Sequence, residues 1–147
     1  MAFSKYFKKF DKKTKILEGA FYLELFRIGY AYWLNGFKKE ADYYFNTGFE
    51  LYNALLELDR SNSFFFINYN LAAIHSFLGD KEKAFENLRL FNQRQRMPKY
   101  MIKDLNNDPL FDSIREEPEF QQIVRDVEAK YQAEHERVGK WLEENDR

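Results

Sequence analysis

The sequence predicts an all-α protein built from helix hairpins. Three observations lead there. Apolar residues recur at helical spacing, and strand alternation is sustained nowhere. The three prolines fall late, at Pro98, Pro109 and Pro118, so none interrupts a helix in the first 97 residues. Two turn signals, Asn35-Gly36 and Gly79-Asp80, each close an apolar stretch. The 147 residues suit one domain, spanning 1–147. Apolar content of 45% and aromatic content of 19% exclude disorder and low-complexity sequence. The absence of cysteine excludes a disulfide scaffold and thiol chemistry. A net charge of −1 argues against a dedicated nucleic-acid binder.

The chain opens with Lys5, Lys8, Lys9, Lys12, Lys13 and Lys15 interleaved with Phe3, Tyr6, Phe7 and Phe10. Two readings stand side by side: an arm for phosphates or acidic lipids, and an amphipathic helix packing its aromatics on the first hairpin. Helices are then expected near 14–35, 38–59, 63–78 and 81–96. In the first, Leu25, Ile28, Gly29 and Tyr32 follow i, i+3, i+4, i+7 spacing. In the second, Ala41, Phe45, Gly48 and Tyr52 supply a comparable face. The polar run Asp59-Arg60-Ser61-Asn62-Ser63 separates the two hairpins and supplies cap residues. Shorter helices are expected near 98–106 and 109–115. A long one follows over 118–145, with Pro118 suited to a first helical turn and Glu119 to the positive helix end. No apolar run approaches the length of a spanning helix and no leader pattern is visible. A soluble, cytoplasmic chain is therefore expected, with a periplasmic part of a larger protein as the alternative.

The two hairpins are related. Gly29, Tyr32, Gly36, Ala41 and Phe45 have counterparts Ala72, His75, Gly79, Ala84 and Leu88, each 43 residues later. Small residues at 29/72 and 41/84 permit close helix approach, and glycine at 36/79 suits a turn with positive φ. This unit resembles the tetratricopeptide repeat, with units over about 22–55 and 65–98 and a capping segment over about 99–147. The resemblance implies an α–α superhelix of antiparallel hairpins closed by a long C-terminal capping helix. The period exceeds the family's 34 residues by nine, which implies a second helix about two turns longer than usual. Leu25 and Asn68 stand where the family prefers a bulky residue, and Pro98 falls two places late. The stretch Asn107–Arg115 followed by Glu117-Pro118-Glu119-Phe120 resembles the close of bacterial arrays that end larger regulatory proteins.

The family binds partners on a concave face lined by the first helix of each unit. Carried over, that face comprises Leu23, Phe26, Tyr30, Trp33 and Leu34, then Phe66, Tyr69, Ala73, Ser76 and Phe77, with Asn70 beside it. The resemblance thus implies a non-enzymatic scaffold that takes an apolar peptide or helix from another protein. The same groove could instead be filled by the chain's own acidic last helix. Asn70 alone does not make the family's carboxylate grip. Residues 104–147 carry 13 acids and 6 bases. The last helix spaces Phe120, Val124, Val127, Tyr131, Val138 and Trp141 by threes and fours around Glu134, a pattern for a cap or for a homodimer seam. Homo-oligomerisation through that helix and binding of a small apolar ligand are the alternative functions.

Catalysis has little footing. His135-Glu136 begins like a zinc helix motif, but Gly139 stands where the second histidine belongs. His75 occupies a position where the family packs a tyrosine. No catalytic residues, metal ligands or cofactor are expected, and neither nucleic-acid binding nor membrane insertion.

Overall fold

The computed structural model describes residues 24–57 and 66–145. Leu23, the lysine-rich stretch Lys5–Lys15 and the polar run Asp59–Ser63 lie outside them. The described residues form six α-helices and one 3₁₀ turn: α1 Leu25–Leu34, α2 Lys38–Glu57, α3 Phe66–Phe77, α4 Lys81–Asn92, α5 Lys99–Asn107, the turn Pro109–Phe111, and α6 Pro118–Asn145. The protein is all-α, and no described helix is long and apolar enough to cross a membrane. The chain divides into two compact units, 1–70 and 71–147, with the division inside α3.

In the first unit α1 and α2 interlock. Gly29 receives the ring of Phe45: a methyl group at Gly29 would come within 2.5 Å of it. Gly48 on α2 receives the ring of Phe26 in the same manner. Phe26 also meets Phe49 and Tyr52, each with ring centroids 5.1 Å away. Leu25, Tyr44 and Leu51 form an adjoining buried cluster against Ile28, Tyr32 and Leu55. Removing a methyl group at two facing positions lets the axes approach, and the two rings fill the space that remains.

The turn out of α1 is fixed by local hydrogen bonding. Gly36 N–H donates to Trp33 O and Phe37 N–H to Tyr32 O, at 3.1 and 3.0 Å. Gly36 sits at φ +83°, which a β-carbon would disfavour. The same pair of bonds recurs 43 residues later, from Gly79 to Ser76 and from Asp80 to His75, with Gly79 at φ +86°. Asp80 then caps α4, its carboxylate accepting from Lys83 N–H. Helix α2 runs 20 residues against 12 for α4, the two extra turns that the 43-residue offset calls for.

The second unit packs α6 on α4 and α5. Its core contains Ala84, Leu88, Phe91, Met101, Leu105, Phe111, Ile114, Phe120 and Val127, with Phe111 and Phe120 5.3 Å apart. Arg89 pairs with Glu119 at 2.6 Å, and Asn92 donates to Asp126 at 2.8 Å.

Two boundaries differ from expectation. Helix α4 ends at Asn92, not near residue 96. The Lys130 ammonium donates to the Asn92 carbonyl and side chain, closing the helix end, and Met97 is buried ahead of Pro98. The helix expected over 109–115 shortens to the turn Pro109–Phe111. Arg115 explains the shortening. Its guanidinium donates to the carbonyls of Leu105, Asn106 and Asp108 and to the Asp112 carboxylate, which folds this segment back onto the end of α5.

Candidate protein-interaction surface

Helix α1 is apolar on nearly every side, so one hairpin cannot bury all of it. Leu25, Phe26 and Gly29 face α2. Ile28, Ala31, Tyr32 and Asn35, at i, i+3, i+4 and i+7, lie along the edge of that face, with Ile28 and Tyr32 packed on the Leu25–Tyr44–Leu51 cluster. Together with Phe37 they line an open cavity of about 280 Å³. None of these described lining residues is charged. Tyr32 stacks on Tyr44 at 5.3 Å and meets Phe37 edge-on at 6.1 Å. Tyr43 continues this run of rings, 5.4 Å from Tyr44. Burial, followed by the neighbouring Tyr32 phenol, raises the Tyr44 pKa. Phe37 is 54% exposed.

On the remaining side of α1, Trp33 is 39% exposed and Leu34 is also exposed, while Tyr30 is half-buried. The Lys38 ammonium lies 3.4 Å above the Trp33 ring and also donates to the Trp33 carbonyl.

Other expected groove residues are covered. Phe26 is fully buried as the ring seated against Gly48. Tyr69 and Asn70 are buried too. The Arg27 guanidinium lies 5.9 Å from the Tyr69 ring centre and donates to Asn70 Oδ1 at 3.0 Å. Ala73 and Ser76 are fully buried, Ser76 sharing a 2.9 Å hydrogen bond with Ser113. For these five the expectation of open groove surface is corrected. Helix α3 is enclosed on nearly every side, as its all-round apolar composition allows. Phe66 and Phe77 are half-buried. The surface that remains open is therefore on α1 and the turn after it. Ile28, Ala31, Asn35 and Phe37 were not among the expected site residues. Ile28 falls on the stripe that packs on α2, and Ala31, Asn35 and Phe37 lie beside it at the end of the helix and in the turn.

Among the described residues no three His, Asp or Glu side chains gather as a metal site. Every buried side-chain nitrogen or oxygen there has a hydrogen-bond partner, so no orphaned polar atom points to an unseen ligand. His75 is half-buried near Asp80, and burial lowers its pKa, as befits a packed imidazole.

Searches against protein-family models, curated proteins and solved structures find no match to this chain.

Proposed function

We propose that this chain is a tetratricopeptide-like interaction module, not an enzyme, and that it holds an apolar or aromatic side chain of a partner peptide or helix in the α1 cavity. The cavity carries the reading: an open space of about 280 Å³ beside α1 whose described lining residues are uncharged and include Tyr32 and Phe37. That volume falls just short of typical small-molecule sites and suits one large side chain. Trp33 and Leu34 extend the apolar surface around the helix, and aromatic residues dominate binding energy at protein interfaces. Support for the repeat-like architecture comes from the two glycine turns 43 residues apart and from the buried small residues Gly29, Ala41, Ala72 and Ala84.

A displayed library of amphipathic helical peptides tests the reading. The wild-type chain is expected to enrich peptides carrying an aromatic or large aliphatic anchor. Ala31→Glu, at an exposed position, places a charge in the cavity and is expected to remove that enrichment with helicity unchanged. Tyr30→Ala and Trp33→Ala measure the contribution of the neighbouring side. Equal enrichment by wild type and Ala31→Glu overturns the cavity as the site.

A further inference from the structure

The turn that closes α1 contains a reactive pair. Asn35-Gly36 is the one place in the sequence where glycine follows asparagine. The backbone nitrogen after an asparagine can attack that residue's side-chain amide carbon, and glycine carries no side chain to shield its nitrogen. The counterpart turn 43 residues later, built on the same pair of backbone hydrogen bonds, has Leu78 ahead of Gly79. The turn itself therefore does not require asparagine at position 35.

The folded turn restrains the reaction without preventing it. Asn35 ends α1 at φ −89° and ψ 8°. At that ψ its own backbone nitrogen, not its Cβ, eclipses the Gly36 nitrogen, so the side-chain carbon and its attacker lie apart. The Gly36 N–H donates to Trp33 O at 3.1 Å, and the Asn35 side-chain amide donates to Ala31 O at 2.8 Å. Both bonds must open, and ψ must turn, before the ring can close. They are the last bonds of a helix at an exposed residue, the class of contact that opens most readily.

We propose that Asn35 is a site of spontaneous deamidation, and that its conversion places a carboxylate in the α1 cavity. The Gly36 nitrogen gives up its proton and bonds to Asn35 Cγ. The bond from Cγ to Nδ2 breaks, and ammonia leaves with that proton. Water then opens the cyclic imide at one of its two carbonyls. Opening at Cγ gives aspartate. Opening at the backbone carbonyl gives isoaspartate, whose main chain runs through Cβ and Cγ. Either product sets an anion among Ile28, Ala31, Tyr32 and Phe37, where an apolar partner would have to desolvate it. The new carboxylate also loses the donation to Ala31 O and stands at the negative end of the α1 dipole. Lys38, the nearest cation along the chain, is held over the Trp33 ring, so neutralising the charge would draw it off that ring. Isoaspartate further adds a backbone carbon ahead of Gly36, which breaks the register of the Gly36–Trp33 and Phe37–Tyr32 bonds. The modification stands by itself, while its effect on partner capture rests on the cavity being an interaction site.

Timed incubation of the full chain at neutral pH, with peptide mapping for aspartate and isoaspartate, reads the reaction. Residue 35 is expected to convert before any other asparagine. A free peptide spanning residues 30–40 is expected to convert about tenfold faster than the folded chain, since two hydrogen bonds no longer hold it. Asn35→Gln, which would have to close a larger ring, is expected to stop the accumulation. A residue 35 that stays intact while the free peptide converts overturns the site. A folded chain that converts as fast as the peptide overturns the restraint by the turn. Asn35→Asp supplies the charge without the extra backbone carbon. This variant and the aged fraction isolated by ion exchange are each expected to hold the library's apolar peptides about tenfold more weakly than the fresh chain. Unchanged binding by both overturns the charged cavity as the consequence. If the fresh chain enriches no peptide at all, the effect on capture falls with the interaction-site reading, and the peptide map alone decides the modification.

Discussion

Replacing Gly29 by alanine tests the interlocking of α1 and α2 directly. In an isolated helix the change would stabilise by about 1 kcal/mol. Here the new methyl group would lie 2.5 and 2.6 Å from two ring carbons of Phe45 and 3.2 Å from the Ala41 carbonyl oxygen. Normal carbon contacts need about 3.5–4.0 Å, so the ring must retreat by about 1 Å. Phe45 is itself buried. The overpacking cost then falls in the upper part of the usual range, about 2–3 kcal/mol. The expected net loss is about 1–2 kcal/mol, opposite in sign to the helix-propensity effect. The second hairpin indicates the remedy, since the residues 43 positions later are Ala72 and Leu88, both fully buried. Phe45→Leu alone is expected to cost about 1 kcal/mol, yet in its background Gly29→Ala no longer clashes. The double-mutant cycle should therefore show a favourable coupling of about 2 kcal/mol. Urea unfolding followed by tryptophan fluorescence measures it. Trp33 lies in the first unit, and a Trp141→Phe background removes the reporter from the second. A Gly29→Ala chain as stable as wild type, or additive single and double variants, would refute the close-approach argument.

Three further outcomes are expected. Arg115→Met removes donors from three backbone carbonyls at the end of α5 and should lower the stability of the second unit by about 2 kcal/mol, read from the urea midpoint with Trp141 as reporter. Burial lowers the His75 pKa although Asp80 and Glu86 oppose the shift, so the unfolded chain binds the proton more readily. Stability should hold above the ordinary imidazole range and fall as pH drops through that range toward the folded value, and His75→Tyr should flatten this dependence in thermal melts. Gly79→Ala meets no atom within 4 Å but forces alanine to φ +86°. It should cost about 1 kcal/mol, with Gly79→Asn costing less, as measured by chemical denaturation.

Much of the helical layout was legible because its determinants are local. Gly36, Gly79 and Pro118 specify turns and a helix start through their own backbone chemistry, and each does so in the structure. The end of α4 and the 109–115 segment were less legible, because Lys130 and Arg115 fix them from 38 residues and up to 10 residues away. The residues left exposed were harder still. On α1, hydrophobic spacing fits several faces at once, and Phe26 goes inward only because Gly48, 22 positions later, leaves room for its ring. Trp33 and Leu34 are exposed, whereas Tyr69 and Asn70 are covered by Arg27, a contact across 43 residues that no local pattern encodes. Ile28 and Ala31 drew no attention as site residues because an aliphatic pair on an apolar helix reads as core.

The overhang of α6 has a consequence for how it stays helical. A free helix of this length would be marginal in water, since most of its cost lies in nucleation. Here the nucleus is supplied by the anchored turns around Phe120 and Val127, and the later residues only propagate it. The Glu134–Arg137 pair and the Gln132–Glu136 hydrogen bond support that propagation. Trp141 and Leu142 are therefore exposed on a helix that is already nucleated. Gly139 works against this order, because glycine within a helix costs about 1 kcal/mol relative to alanine, and nothing within 4 Å of its Cβ position requires it. A single residue one turn before Glu143 thus lowers the helical population of everything that follows it.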